Sequence, residues 1–162
     1  MKELLKIGFG GGCHWCTEAV FQAVKGVGEV NQGYISTAQE KEIFYEGVLV
    51  YYDPEIISLE KLIELHLQTH QSTSNHCMRS KYLSAVYVFE NIQRLKVNFI
   101  LNELQNNFTE KIITKAYDFG KFKASRKEIR DYYKTDPERP FCQVYIKPKL
   151  EKLRKYHASI LK

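Results

Sequence analysis

Strands and helices interleave along this chain, which predicts an α/β domain built on one mixed sheet with helices packed against it. Three observations carry that reading. Short β-prone apolar runs alternate with stretches of helical spacing. Glycine and proline stand at the joints between them. No repeat, linker or low-complexity stretch divides the 162 residues, so 1–162 reads as a single domain.

The elements follow in order. Leu4 to Phe9 is apolar and reads as a strand. Gly10-Gly11-Gly12 breaks it, and a helix starts near Cys13. Ala19, Val20, Ala23 and Val24 recur at helical spacing until Gly26. Val27 to Ile35 alternates weakly, as a strand does, and Gly47 to Tyr52 is apolar enough for a central strand closed by Asp53-Pro54. Ser58 is a candidate N-cap for a helix whose face runs through Leu59, Leu62, Ile63, His66, Leu67 and His70. A loop from Gln71 to Lys81 leads to a strand over Leu83–Phe89. Ile92, Leu95, Phe99 and Leu104 mark a third helix, and Ile112 to Ala116 a further strand. Beyond Gly120, Pro137, Pro140 and Pro148 limit regular structure, and Leu150 to Leu161 reads as a last helix.

Composition narrows the class of protein. Hydrophobic residues make up 44% of the chain and aromatics 13%, enough for a core that needs no disulfides to hold it. The net charge of +5 is a mild excess with scattered Lys and Arg, and no fold-level motif supports nucleic-acid binding. The four cysteines, Cys13, Cys16, Cys77 and Cys142, are too few and too unevenly spaced for a secreted disulfide scaffold. The N-terminal residues lack a signal-type apolar run, and no segment is long and apolar enough for a membrane helix. The expectation is a reducing cytoplasm, where cysteines are catalytic, metal-binding or simply buried.

Gly10-Gly11-Gly12-Cys13-His14-Trp15-Cys16-Thr17-Glu18 is the most informative stretch. The glycines turn strand into helix and place Cys13 at the helix N-terminus. Unpaired N–H groups there favour an anion, so a lowered thiol pKa and a nucleophilic thiolate are expected at Cys13. Trp15, the only tryptophan, could hold a methyl group beside the sulfur. The same residues support other chemistries. Cys13-x-x-Cys16 fits a general dithiol oxidoreductase, though no proline facing the motif can be located. Cys13, His14, Cys16, His76 and Cys77 could supply a mixed metal site. A silent module that binds oxidised methionine through Trp15 is a third reading.

Several positions together resemble the A-type peptide methionine sulfoxide reductases. Gly12-Cys13-His14-Trp15 with Glu18 is similar to the family's Gly-Cys-Phe-Trp followed by Glu. Gly33-Tyr34, Glu46 ahead of Val48–Pro54, the helix ending at His70, Tyr82-Leu83-Ser84-Ala85, and Pro140–Gln143 with Pro148-Lys149-Leu150 fall in the family's order. The resemblance spans roughly Ile7 to Leu153. It implies a two-layer α/β sandwich around a ferredoxin-like core, with no metal or organic cofactor. It implies reduction of the S epimer of methionine sulfoxide, free or in oxidised proteins, by a monomer recycled by thioredoxin. Cys13 would attack sulfur, Glu46 in an apolar pocket would be the acid, and Tyr34 and Tyr82 would hydrogen-bond the oxygen. Trp15 and His14 would bind substrate. Cys142, Cys77 and Cys16, in that order, are candidates to resolve the sulfenic acid.

The chain departs from the family pattern in places. His14 stands for the family's Phe and Phe44 for a His. Cys77 takes the position of an Asp in a shortened loop, and Arg126–Arg130 replaces a Tyr-His-Gln stretch. A more polar pocket follows, and with it a shifted substrate preference or a weaker reductase.

Overall fold

A computed structural model describes residues 3–74 and 81–162; His76 and Cys77 lie outside the described residues. The strands are β1 (Leu5–Gly10), β2 (Val27–Thr37), β3 (Tyr45–Tyr52), β4 (Ala85–Val88) and β5 (Lys115–Ala124). The helices are α1 (His14–Gln22), α2 (Leu59–Thr69), α3 (Asn91–Leu104), α4 (Tyr132–Thr135) and α5 (Lys147–His157).

The expected single mixed sheet with helices against it is present. It is not the open sheet of a ferredoxin-like sandwich, however, but closes in the order β1-β3-β2-β5-β4. β1 pairs antiparallel with β3 on one side and β4 on the other, and β4 and β5 run parallel. Small side chains permit the closure. Gly10 stands opposite Gly47 and Ala85, Gly47 opposite Gly33, and Gly33 opposite Ala124. These small residues let neighbouring strands approach closely from β4 through β1, β3 and β2 to the end of β5, while β4 and β5 meet at the other end of β5, with Ala85 opposite Lys115.

Alternation along each strand then sorts side chains to two cores. Ile7, Phe9, Val48, Val50, Tyr52, Val86 and Val88 pack outward with α1, α2 and the C-terminal segment. Leu49, Ala85, Tyr87 and Ile35 form a smaller cluster on the opposite face. Ser58 caps α2 as expected, its hydroxyl accepting from Lys61 N at 3.1 Å.

Three expectations need correction. Ile92, Leu95 and Phe99, which marked α3, face solvent at 60–66% exposure, while Val97 and Leu104 are buried. The apolar spacing found the helix but not its inner face. The last strand continues through Gly120, because Thr37 O and Ser36 Oγ crowd that position and leave no room for a Cβ. Pro148 does not stop the final helix but lies in its first turn, where the missing N–H costs nothing.

Candidate active site

Cys13 sits where β1 becomes α1. Gly11 has φ +146°, which a side chain rarely adopts, and a Cβ there would lie 2.6 Å from the His70 ring. Two histidines from α2 brace this turn. His66 Nε2–H donates to Gly10 O at 2.7 Å and its ring stacks on His70 at 4.1 Å. His70 Nδ1–H donates to His66 O, and its Nε2 bonds Ser84 Oγ at 2.8 Å. Cys13 is therefore the N-cap of a rigidly held helix, its carbonyl accepting from Cys16 N and Thr17 N at 3.1 and 3.2 Å.

The Cys13 thiol is half-buried and in hydrogen-bond contact with the buried Cys16 thiol one turn along. This changes the expected electrostatics. Contact with Cys16 and burial push the Cys13 thiol well up, although the Trp15 N–H favours its anion. The same contact pulls Cys16 down against its burial, helped by the charge of Lys149. Contact between the two thiols thus shifts Cys13 up and Cys16 down. The lowering expected at Cys13 from the helix terminus is outweighed there by that contact and by burial.

Opposite the thiols stands Glu46, on β3 across from Tyr34 on β2. Its pocket is buried but polar, contrary to the apolar surroundings expected. Oε1 accepts the His14 backbone N–H at 3.2 Å and lies 3.5 Å from His14 Nε2. Oε2 pairs with Lys81 Nζ at 3.1 Å. His14 is buried, with its Nδ1 2.9 Å from Gly33 O and its ring 5.2 Å from that of Tyr34. Burial lowers the His14 pKa, and Glu46 only partly offsets this. Tyr82, adjacent to Lys81, is pushed up by burial and by the charges of Glu46 and Cys13.

Trp15 forms the other wall. Its ring stacks on Tyr132 at 4.1 Å with an 8° tilt and meets the edge of Phe141 at 5.1 Å. The Arg139 guanidinium lies 4.2 Å over the Tyr132 ring. Glu18 secures this wall. It is buried, and its carboxylate accepts from Gln32 Nε2, Asp131 N and Tyr132 N at 2.9, 2.9 and 3.1 Å. The two backbone bonds hold Asp131 at φ +53°, so the chain turns Tyr132 onto Trp15.

The structure thus gathers Cys13, Cys16, His14, Trp15, Tyr34, Glu46 and Tyr82. Cys142 is buried, its thiol 3.6 Å from Asp136 O and within electrostatic range of Cys16. Among the described residues no three His, Cys, Asp or Glu side chains are placed to hold a metal ion. Reading the sequence assigned no role to Lys81, Tyr132 or Lys149. Each reaches the site from a distant stretch of chain, and no local spacing announces it.

Comparison with known proteins agrees with this geometry. The family model described as peptide methionine sulfoxide reductase matches residues 5–160. The peptide methionine sulfoxide reductase MsrA of Psychrobacter sp. (strain PRwf-1) is 34% identical, with 90% of this chain and 92% of the relative covered. That of Trichodesmium erythraeum is 32% identical, covering 91% and 92%. The fold resembles that of reduced Mxr1 from Saccharomyces cerevisiae, with a TM-score of 0.70, 20% identity, and 84% and 87% of the two chains covered. Mxr1 solved in complex with Trx2 matches with a TM-score of 0.61 at 19% identity, covering 78% and 84%. A half-exposed thiol at a braced helix terminus, the carboxylate facing it and a match across nearly the whole chain place this protein in the peptide methionine sulfoxide reductase family.

Proposed function

We propose that this protein reduces the S epimer of methionine sulfoxide with Cys13 as nucleophile and Cys16 as the resolving thiol. The carrying observation is the contact between a half-exposed Cys13 thiol and a buried Cys16 thiol. The Cys13 proton passes to Cys16, and the Cys13 sulfur attacks the sulfoxide sulfur. The oxygen takes one proton at the Glu46 side of the pocket, with Tyr34 and Tyr82 as hydrogen-bond donors. Trp15 packs against the substrate methyl. The thioether departs and leaves Cys13 as a sulfenic acid. Cys16 attacks that sulfur, water leaves, and a Cys13–Cys16 disulfide forms.

Sulfur-to-sulfur contact favours Cys16 over Cys142 in this step. The half-exposed Cys13 sulfur of the disulfide is then open to an external dithiol. A relative of the same fold, Mxr1, has been solved with Trx2, which supports thioredoxin as the reductant. A reducing cytoplasm suits both the free thiols and that reductant.

The test is turnover of separate S and R epimers with thioredoxin or dithiothreitol, followed by mass mapping of disulfides after one turnover. Reduction of the S epimer alone is expected, abolished in Cys13→Ser. Cys16→Ser should keep the first equivalent of methionine and lose the thioredoxin cycle. A disulfide joining Cys13 to Cys142 or Cys77 in the wild type would overturn the role of Cys16. Turnover of neither epimer would overturn the reductase reading. The Cys13–Cys16 contact would then favour a general dithiol oxidoreductase, read by disulfide reduction in insulin.

A further inference from the structure

The proposed reduction, on which this inference rests, needs one proton at the sulfoxide oxygen. Glu46 is the nearest acid, yet its partners are the Lys81 ammonium and the His14 backbone N–H, both suited to a carboxylate. A further titratable group turned toward it is His14, which stands where the family resemblance has Phe. Its tautomer is set by the backbone. Gly33 O, 2.9 Å from Nδ1, can only accept, so Nδ1 carries a hydrogen and Nε2 is the free nitrogen. Nε2 then faces Glu46 Oε1 across 3.5 Å, with both side chains buried.

We infer that the catalytic proton exchanges between His14 Nε2 and Glu46 Oε1, which lie 3.5 Å apart, with His14 a positioning residue that acts through Glu46. Five other groups among the described residues face this pair. Lys81 contacts Oε2, the Tyr34 ring lies 5.2 Å from the His14 ring, and Tyr82, Cys13 and Cys16 are within electrostatic reach of Glu46. Lys81 pairs with one Glu46 oxygen, and His14 Nε2 offers a second site for a proton beside the other. Burial holds His14 below its ordinary value, so it gives the proton up readily.

The step balances. The Cys13 thiolate bonds to the sulfoxide sulfur, the oxygen takes the proton from the His14–Glu46 pair, the S–O bond breaks as the hydroxyl passes to the Cys13 sulfur, and methionine leaves with its sulfur reduced by two electrons. Cys13 is oxidised by two electrons to the sulfenic acid. Neutral His14 and carboxylate Glu46 remain, and they reload from water. A Phe at this position allows no such store.

The first test uses the wild-type protein. Imidazole nitrogen shifts of His14 and the side-chain carboxyl carbon of Glu46 are followed by NMR across pH. One common apparent midpoint is expected, and Glu46→Gln should move that of His14. Two independent midpoints, or a His14 titration indifferent to Glu46→Gln, overturn the inference. The second test is the single-turnover methionine burst in His14→Asn, which keeps a donor toward Gly33 and has no titrating nitrogen. The burst should slow on the order of tenfold, and the alkaline fall of its pH profile should move to lower pH. KM should stay within a factor of about two. A wild-type burst and profile in His14→Asn overturns the shared proton and leaves the reductase reading standing. Absence of any burst in the wild type overturns that reading instead, and the NMR titration still decides whether the proton is shared.

Discussion

The barrel and the C-terminal segment from Arg126 onward hold the two walls of the site by different means. On the barrel side, Glu46 faces Tyr34 because β2 and β3 pair in one register, and Cys13 follows from where β1 ends. Backbone ladders do the positioning, and a one-residue slip would turn every side chain to the other face. In the C-terminal segment there is no ladder. It consists of short helical turns, a π-helical turn over Cys142–Ile146, and α5. There, Tyr132 reaches Trp15 because one buried carboxylate, Glu18, ties down two backbone N–H groups. The polar chemistry thus rests on many weak backbone bonds, and the aromatic wall rests on a few strong ones.

The largest expected consequence of this difference is at Glu18. Glu18→Ala removes the acceptor shared by Gln32 Nε2, Asp131 N and Tyr132 N, at a cost of about 2 kcal/mol. Urea unfolding and amide exchange should show it. The segment after Arg126 should lose protection first while β1, β2 and β3 keep theirs. Equal loss in both regions would mean that they melt as one unit, and the contrast drawn above would fail.

A smaller effect is expected at Tyr132. Tyr132→Ala removes the ring stacked on Trp15 and uncovers Arg139. KM for methionine sulfoxide should rise about tenfold with kcat within a factor of about three, since aromatic pairs contribute to binding and the thiols and acid stay on the barrel side. A collapse of kcat at unchanged KM would show that the C-terminal wall takes part in the chemistry.

The smallest effect sharpens the comparison at the one place where α5 touches the thiols electrostatically. Cys16 lies below the ordinary thiol value of 9.0 and Cys13 above it, so thiolate absorbance at 240 nm should rise in two steps. The first step falls below the ordinary value, and the second is withheld to high pH. Removing the positive charge in Lys149→Met weakens the support for the first thiolate, so that step should move up by a few tenths of a pH unit. Cys16→Ser should abolish the early step altogether. An unmoved first step in Lys149→Met would confine the control of thiol charge to the barrel side.

Much of the site was legible because its signals are local. Three glycines before Cys13 mark a strand-to-helix turn, and Cys13 and Cys16 are one helical turn apart in any helix that starts there. The helices α1, α2, α3 and α5 and most strands were legible for the same reason, since apolar periodicity is read from neighbours, whereas α4 was not read. The inner face of α3 was not. Ile92, Leu95 and Phe99 form a regular stripe, and only the packing of Val97 and Leu104 shows which side is inward.

What the sequence determined by itself was the order of the main elements, the place of Cys13 at a strand-to-helix turn and the family motif around it, all properties of short windows and their spacing. Tertiary structure decided the rest. Closure of the sheet depended on pairings between distant strands, with Gly10 opposite Gly47 and Ala85, and Gly33 opposite Gly47 and Ala124. The polar setting of Glu46 depended on Lys81 and His14, which are 35 and 32 residues away from it. The lowering of the Cys16 thiol depended first on its contact with Cys13 and was aided by Lys149 arriving from α5. These are effects of distance in space, and electrostatics and close packing act across space without regard to separation along the chain.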